Sequence, residues 1–160
     1  MLSGPAPAGP FIGGGPPMFS RLDHIAIAVA DLSTALALYE QAFGLTGAQV
    51  ERVADQGVDV AMLPMTGCKL ELLAPIDDEG PVARFLARRG PGLHHIAFRV
   101  DDINAALAAA REAGLRLLDE KPRRGAGGAL IAFVHPGDTM GVLVEFCQRR
   151  ETTGDPSPQS

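Results

Sequence analysis

The sequence has no tryptophan, one tyrosine and only two cysteines in 160 residues. With 5% aromatic residues it lacks the side chains on which single-stranded nucleic acid stacks. Cys68 and Cys147 are too few for a disulfide scaffold, so free thiols in a cytoplasmic setting are the expectation. No apolar run approaches the ~18 residues of a membrane span. Positive charge is also short. Fourteen Lys+Arg against 19 Asp+Glu leave a net charge of −5, which argues against a nucleic-acid partner. The remaining composition is that of a globular protein, 46% apolar and 21% charged. The length suits one domain, at about 100–200 residues each.

Residues 1–20 are rich in Gly and Pro and read as a disordered tail, with Met18 an alternative start. No early positive charge or continuous apolar stretch marks a signal peptide there. Residues 151–160 read as a second tail. The folded domain is expected over 21–150.

That domain repeats itself. Shifted by 71 positions, Asp23–Ala42 lies over His94–Ala113 with nine of twenty residues identical, among them His24/His95, Asp31/Asp102 and Ala35/Ala106. Val60–Leu63 lies over Ile131–Val134 at the same offset. After a three-residue insertion, Leu70–Leu73 lies over Val144–Cys147. The units span about 21–75 and 93–148, and each reads strand, helix, three strands. The first unit has strands at Leu22–Val29, Gln49–Ala54, Val58–Leu63 and Lys69–Leu73, with a helix capped by Asp31 or Ser33 and ended by Gly44. The second has strands at His95–Val100, Leu115–Leu118, Ala129–His135 and Val142–Cys147, with a helix over Ile103–Ala113. A short helix from Pro81 to Arg88 joins the units.

Side chains alternate across a strand. Ile25, Ile27 and Val29 therefore pack under the first helix, and His24, Ala26 and Ala28 face the other way. Ile96, Phe98 and Val100 oppose His95 and Ala97 in the same manner. Glu71 and Glu145 sit at matching places on the last strand of each unit. One imidazole and one carboxylate per unit thus point away from the helices. His24, Glu71, His95 and Glu145 together suit one divalent ion, a six-coordinate Co²⁺, Mn²⁺ or Ni²⁺, with Zn²⁺ or Mg²⁺ as alternatives. Any one of them alone reads more readily as a polar residue on a solvated face. Four at equivalent positions favour the ligand reading, because ionisable groups are costly to bury unless paired or metal-bound. His94 and His135 have no counterpart histidine and read as structural, or at most as neighbours of the ligands.

The segments DHIAIAV, EQAFGL, DQGVDVAML, LELLAP, PVARFLARRGPGLHHIAFRVDDI, KPRRGAGGALIAFVHP and GVLVEF cover nearly all of residues 21–147. They resemble the vicinal-oxygen-chelate (glyoxalase-like) superfamily and, within it, the methylmalonyl-CoA epimerase family. The resemblance implies an α+β fold in which two paired βαβββ units curl around one metal. It carries the ligand roles onto His24, Glu71, His95 and Glu145; some relatives have Gln where this chain has Glu71. It implies an acyl-CoA substrate, a homodimer, and interconversion of 2R and 2S methylmalonyl-CoA through an enolate. Glu145 then doubles as ligand and base. Several relatives carry a second catalytic Glu at the position of Val60, and Asp59 faces the opposite side, so no second base stands out here.

The stretch Arg123, Arg124, Gly125, Ala126, Gly127 and Gly128 offers cations and backbone N–H groups to an anionic substrate, with Lys121 beside it. Taken alone it reads equally well as a hairpin connection. Arg84, Arg88 and Arg89 read as the solvated face of the linking helix. Rival readings are glyoxalase I (lactoylglutathione lyase), with the same ligand types, and a metal-free binding module of the same fold.

Overall fold

The computed structural model describes residues 18–19 and 21–150, and the two tails lie outside the described residues apart from Met18 and Phe19. Eight strands form one mixed sheet in the order β2-β3-β4-β1-β5-β8-β7-β6. The first repeat supplies β1 (Arg21–Ala28), α1 (Leu32–Phe43), β2 (Gln49–Val53), β3 (Val58–Pro64) and β4 (Lys69–Pro75). After α2 (Pro81–Arg89), the second supplies β5 (Gly92–Arg99), α3 (Ile103–Glu112), β6 (Arg123–Arg124), β7 (Leu130–Val134) and β8 (Val144–Gln148). The two halves mirror each other: β1 runs parallel to β4 and β5 parallel to β8, while β1 and β5 pair antiparallel at the centre. The fold class is the α+β architecture expected.

The helices begin and end for local reasons. The Asp31 carboxylate accepts from the Thr34 N–H, and the Asp102 carboxylate accepts from those of Asn104 and Ala105, each satisfying donors that the first turn leaves open. Gly44 closes α1 in the left-handed region at φ 68°. One apolar layer lies under α1, through Ala35, Leu63, Leu70 and Leu72. Its counterpart lies under α3, through Ile103, Leu107, Val134 and Phe146. Phe19 joins the second layer, its ring stacked 4.5 Å from that of Phe98. No helix among the described residues is long and apolar enough to cross a membrane.

The opposite sheet face turns inward. Its edges meet, because Gln56 beyond β2 donates to the Arg124 carbonyl of β6 at 2.7 Å. The sixth strand departs from the sequence reading. Leu115–Leu118 is not a strand, and Leu117 makes only an isolated bridge to Val134. The Asp119 carboxylate takes the Phe133 N–H that a longer ladder would use. Pro122, with no N–H of its own, then delays pairing until Arg123–Arg124.

Candidate active site

Two bulges shape the centre of the sheet. Along β1, Leu22 faces Phe98 and His24 faces Ala97, so Asp23 is an extra residue. Further along, Ala26 faces His95 and Ile27 faces Leu93, so His94 is the extra residue on β5. Asp23 and His94 occupy equivalent positions of the repeat. A bulge re-aims the side chains beside it, and here each extra residue reaches the neighbouring histidine. The Asp23 carboxylate lies 2.8 Å from His24 Nδ1, and His94 Nδ1 lies 2.9 Å from His95 Nδ1.

The other ring nitrogens converge. His24 Nε2 and His95 Nε2 are 3.1 Å apart. Glu71 Oε2 stands 3.5 Å from the first and 3.6 Å from the second. Glu145 reaches His95 Nε2 with Oε2 at 3.2 Å and His24 Nε2 with Oε1 at 3.7 Å. All four residues are only 3–5% exposed. The structure thus brings together the four side chains singled out from the sequence. Glu145 Oε1 is buried without a hydrogen-bond partner. Leaving such an acceptor unmet costs about 1–3 kcal/mol, and a cation among these donors would satisfy it. His24, His95 and Glu145 offer atoms close enough together for one ion. The donor set fits a divalent metal. Cys147 lies near Asp23 and His24, and burial pushes its thiol up.

Charge is distributed unevenly. Burial lifts the Glu145 carboxyl to about 7 and raises that of Glu71. Burial also depresses His95 to about 3 and, with His95 beside it, His94 to about 4. His24 goes the other way: burial opposes its charge, but the Asp23 hydrogen bond and the nearby Glu71 and Glu145 carboxylates outweigh burial and raise it. Asp23 is itself buried, yet His24 and Arg149 hold it well below the usual carboxylate range.

His24, Glu71, His94, His95 and Glu145 form one wall of a cavity of about 1,100 Å³. Val53, Val58, Val60, Leu73 and Val82 make an apolar wall. Val60 is among its buried residues, and Asp59 turns outward to pair with Arg52 at 2.7 Å. Four arginines border the cavity: Arg88, Arg89, Arg123 and Arg149. Arg88 and Arg89 are exposed, as the sequence reading has them, but also line its rim. Arg123 pairs with Asp119 at 3.0 Å and lies 5.4 Å over the Phe133 ring.

The glycine-rich stretch differs from its expected form. Gly125 lines the cavity, but its N–H is donated to the Ala129 carbonyl, and the Gly127 N–H is donated to Glu51 at 2.8 Å. Neither is left for an anion. Arg124 belongs to strand β6, and neither it nor Gly128 lines the cavity. This stretch ties one sheet edge to the other. Asp23 and Arg149 were not singled out from the sequence. The signal for Asp23 was its alignment with His94, each one residue before a matched histidine.

The family description Glyoxalase/Bleomycin resistance protein/Dioxygenase superfamily matches residues 23–133, and the chain belongs to that superfamily. An ethylmalonyl-CoA/methylmalonyl-CoA epimerase of Cereibacter sphaeroides is 41% identical over 133 residues, covering 82% of this chain and 99% of that one. The human mitochondrial methylmalonyl-CoA epimerase is 40% identical over 129 residues, 80% of this chain and 73% of the relative. A solved Streptomyces coelicolor methylmalonyl-CoA epimerase variant, in complex with 2-nitronate-propionyl-CoA, superposes with a TM-score of 0.81. It is 37% identical and covers 88% of this chain and 99% of that one. Within the superfamily the chain is a member of the methylmalonyl-CoA epimerase family.

Proposed function

We propose that the protein interconverts the 2R and 2S forms of methylmalonyl-CoA, with His24, Glu71, His95 and Glu145 holding a divalent metal and Glu145 taking the C2 proton. The observation that carries this reading is the convergence of four buried donors, matched across the repeat, on one wall of the cavity. Such a cation, Co²⁺ by preference, supplies Lewis-acid stabilisation of the negative charge that grows on the thioester oxygen.

The chain's own residues do the rest. Glu145 has two carboxylate oxygens at the cavity wall, so one can serve as a ligand while the other accepts a proton from a carbon held within hydrogen-bond reach. Burial lifts its carboxyl to about 7 in the metal-free site, which makes it a stronger base than an exposed carboxylate. Phe133, Ile131 and Leu143 line the cavity and exclude water around it. The bordering arginines suit a polyanionic acyl-CoA. The valine at position 60 places no acid on the facing wall, so Glu145 is the one carboxylate assigned to proton transfer.

The test follows deuterium incorporation at C2 of methylmalonyl-CoA in D₂O by NMR. Chelator-stripped protein is compared with Co²⁺-reloaded protein and an enzyme-free control. Metal-dependent exchange well above the control is the expected result. Metal bound without exchange would discard the reading in favour of a glyoxalase I assay. Absence of metal binding would point to the binding-module reading.

A further inference from the structure

The two histidines of the site are held from behind by different chemistry. On the β1 side, Asp23 can only accept, so His24 Nδ1 carries the hydrogen of their 2.8 Å contact. The same carboxylate accepts from Arg99 Nε at 2.8 Å and from Arg149 through Nε and a terminal nitrogen, the latter at 2.8 Å. Asp23 is itself only 4% exposed. On the β5 side the holder is a neutral ring. His95 Nε2 faces Glu145 and His24, so a neutral His95 with Nε2 free for a ligand bears its hydrogen on Nδ1 and donates to His94 Nδ1. The His94 ring is packed edge-on against Phe85 at 5.0 Å. Both holders are the extra residues of the two β1–β5 bulges.

We propose that Asp23 and His94 are positioning residues that fix the tautomer and aim of His24 and His95, with Asp23 strengthening its histidine as a donor more than His94 does. The inference rests on the metal reading above. It explains why a bulge occurs twice, at equivalent positions of a repeat whose residues there differ. Without the bulges, alternation would turn Asp23 and His94 to the helix side of the sheet. With them, each histidine of the site gains a partner at the ring nitrogen that faces away from the other donors. Partners of this kind typically change metal affinity by about 10–100-fold when lost.

The experiment titrates Co²⁺ into full-length protein by equilibrium dialysis and records its visible absorption spectrum. Four proteins are compared: wild type, Asp23→Asn, His94→Phe and His94→Gln. Asp23→Asn keeps an acceptor and the shape but loses the charge. His94→Phe keeps a ring against Phe85 but loses the acceptor, and His94→Gln restores an acceptor. Affinity is expected to fall about 10–100-fold in Asp23→Asn, and less in His94→Phe. Both are expected to shift the Co²⁺ spectrum, and His94→Gln to recover most of the His94→Phe loss. Thermal melts accompany each titration. Variants that melt earlier but bind Co²⁺ with wild-type affinity and spectrum would overturn the inference and leave the metal reading standing. Wild type that binds no Co²⁺ would overturn both. Should Asp23→Asn not fold, the His94→Phe and His94→Gln pair decides alone: equal affinity in the two overturns the proposal.

Discussion

The two repeats place matching side chains at the centre of the sheet and then treat them differently. In the first, His24 is backed by a buried carboxylate and two arginines; in the second, His95 is backed by a neutral histidine. Glu71 lies 3.5–3.6 Å from both ring nitrogens. Glu145 has one oxygen near His95 and the other with no hydrogen-bond partner. Duplication explains where the four residues are. It does not explain their division of labour, which comes from neighbours that differ between the halves. In the proposed reading the first repeat builds the anchored side of the site, and the second carries the carboxylate assigned to proton transfer.

The sharpest way to break that comparison is to remove each carboxylate in turn. Glu145→Gln is expected to lower C2 proton exchange by ~10²–10⁴-fold, the usual range for losing a general base. Its circular dichroism should stay that of the wild type, because the amide fills the same volume. Glu71→Gln is expected to lower exchange less than tenfold, since an amide oxygen still serves as a ligand and no proton transfer is assigned to it. Equal losses in the two variants, measured by NMR at saturating Co²⁺, would mean that the repeats share the chemistry.

Much of this was legible in the residues. Asp31, one of two capping candidates for α1, marks a helix start by the type and place of a single side chain, and Asp102 matches it in the repeat. His24, Glu71, His95 and Glu145 emerge once the repeat is aligned, because alternation puts all four on one face. The bulges were not legible: strict alternation sends Asp23 and His94 to the helix side, and only the observed register between β1 and β5 shows each as an extra residue. The late start of β6 depends on the Asp119 carboxylate bonding to the Phe133 N–H, a partner chosen by tertiary position. The glycine stretch is held by a partner of the same kind. Its Gly127 N–H is taken by Glu51, 76 residues away and in the other repeat. Local composition carries no record of so distant a partner.

A smaller effect concerns the pH dependence of loading. The Glu145 carboxyl is lifted to about 7 by burial, and it must lose its proton before it can bind a cation. Protons and metal therefore compete here, and also at His24 and Glu71, whose proton affinities are raised too, so apparent Co²⁺ affinity should rise with pH through neutrality. While one proton is displaced, the change approaches ~10-fold per pH unit. Calorimetry in two buffers of different ionisation enthalpy counts the protons released. Asp23, held far below the usual range by His24 and Arg149, should add nothing to that count. An affinity flat between pH 6 and 7.5 would place the loading proton elsewhere and remove Glu145 from the ligand set.

The smallest expected effect lies where the two repeats touch across the open side of the sheet. The first repeat contributes side chains, Glu51 and Gln56, and the second contributes backbone, the Gly127 N–H and the Arg124 carbonyl. Each contact is near the surface, where a hydrogen bond contributes about 0.5–1.5 kcal/mol. Joint replacement, Glu51→Ala with Gln56→Ala, should therefore lower the melting temperature by only a few degrees. It frees a stretch whose Gly125 lines the cavity, so its kinetic effect should fall on substrate retention. A loss of 0.5–1 kcal/mol in binding corresponds to a KM raised about 2–5-fold, with kcat held. The opposite split, kcat lowered and KM unchanged, would mean that the junction of the edges aligns Glu145 with the reacting carbon. The second repeat's reactive carboxylate would then depend on the first repeat for its aim as well as for its metal.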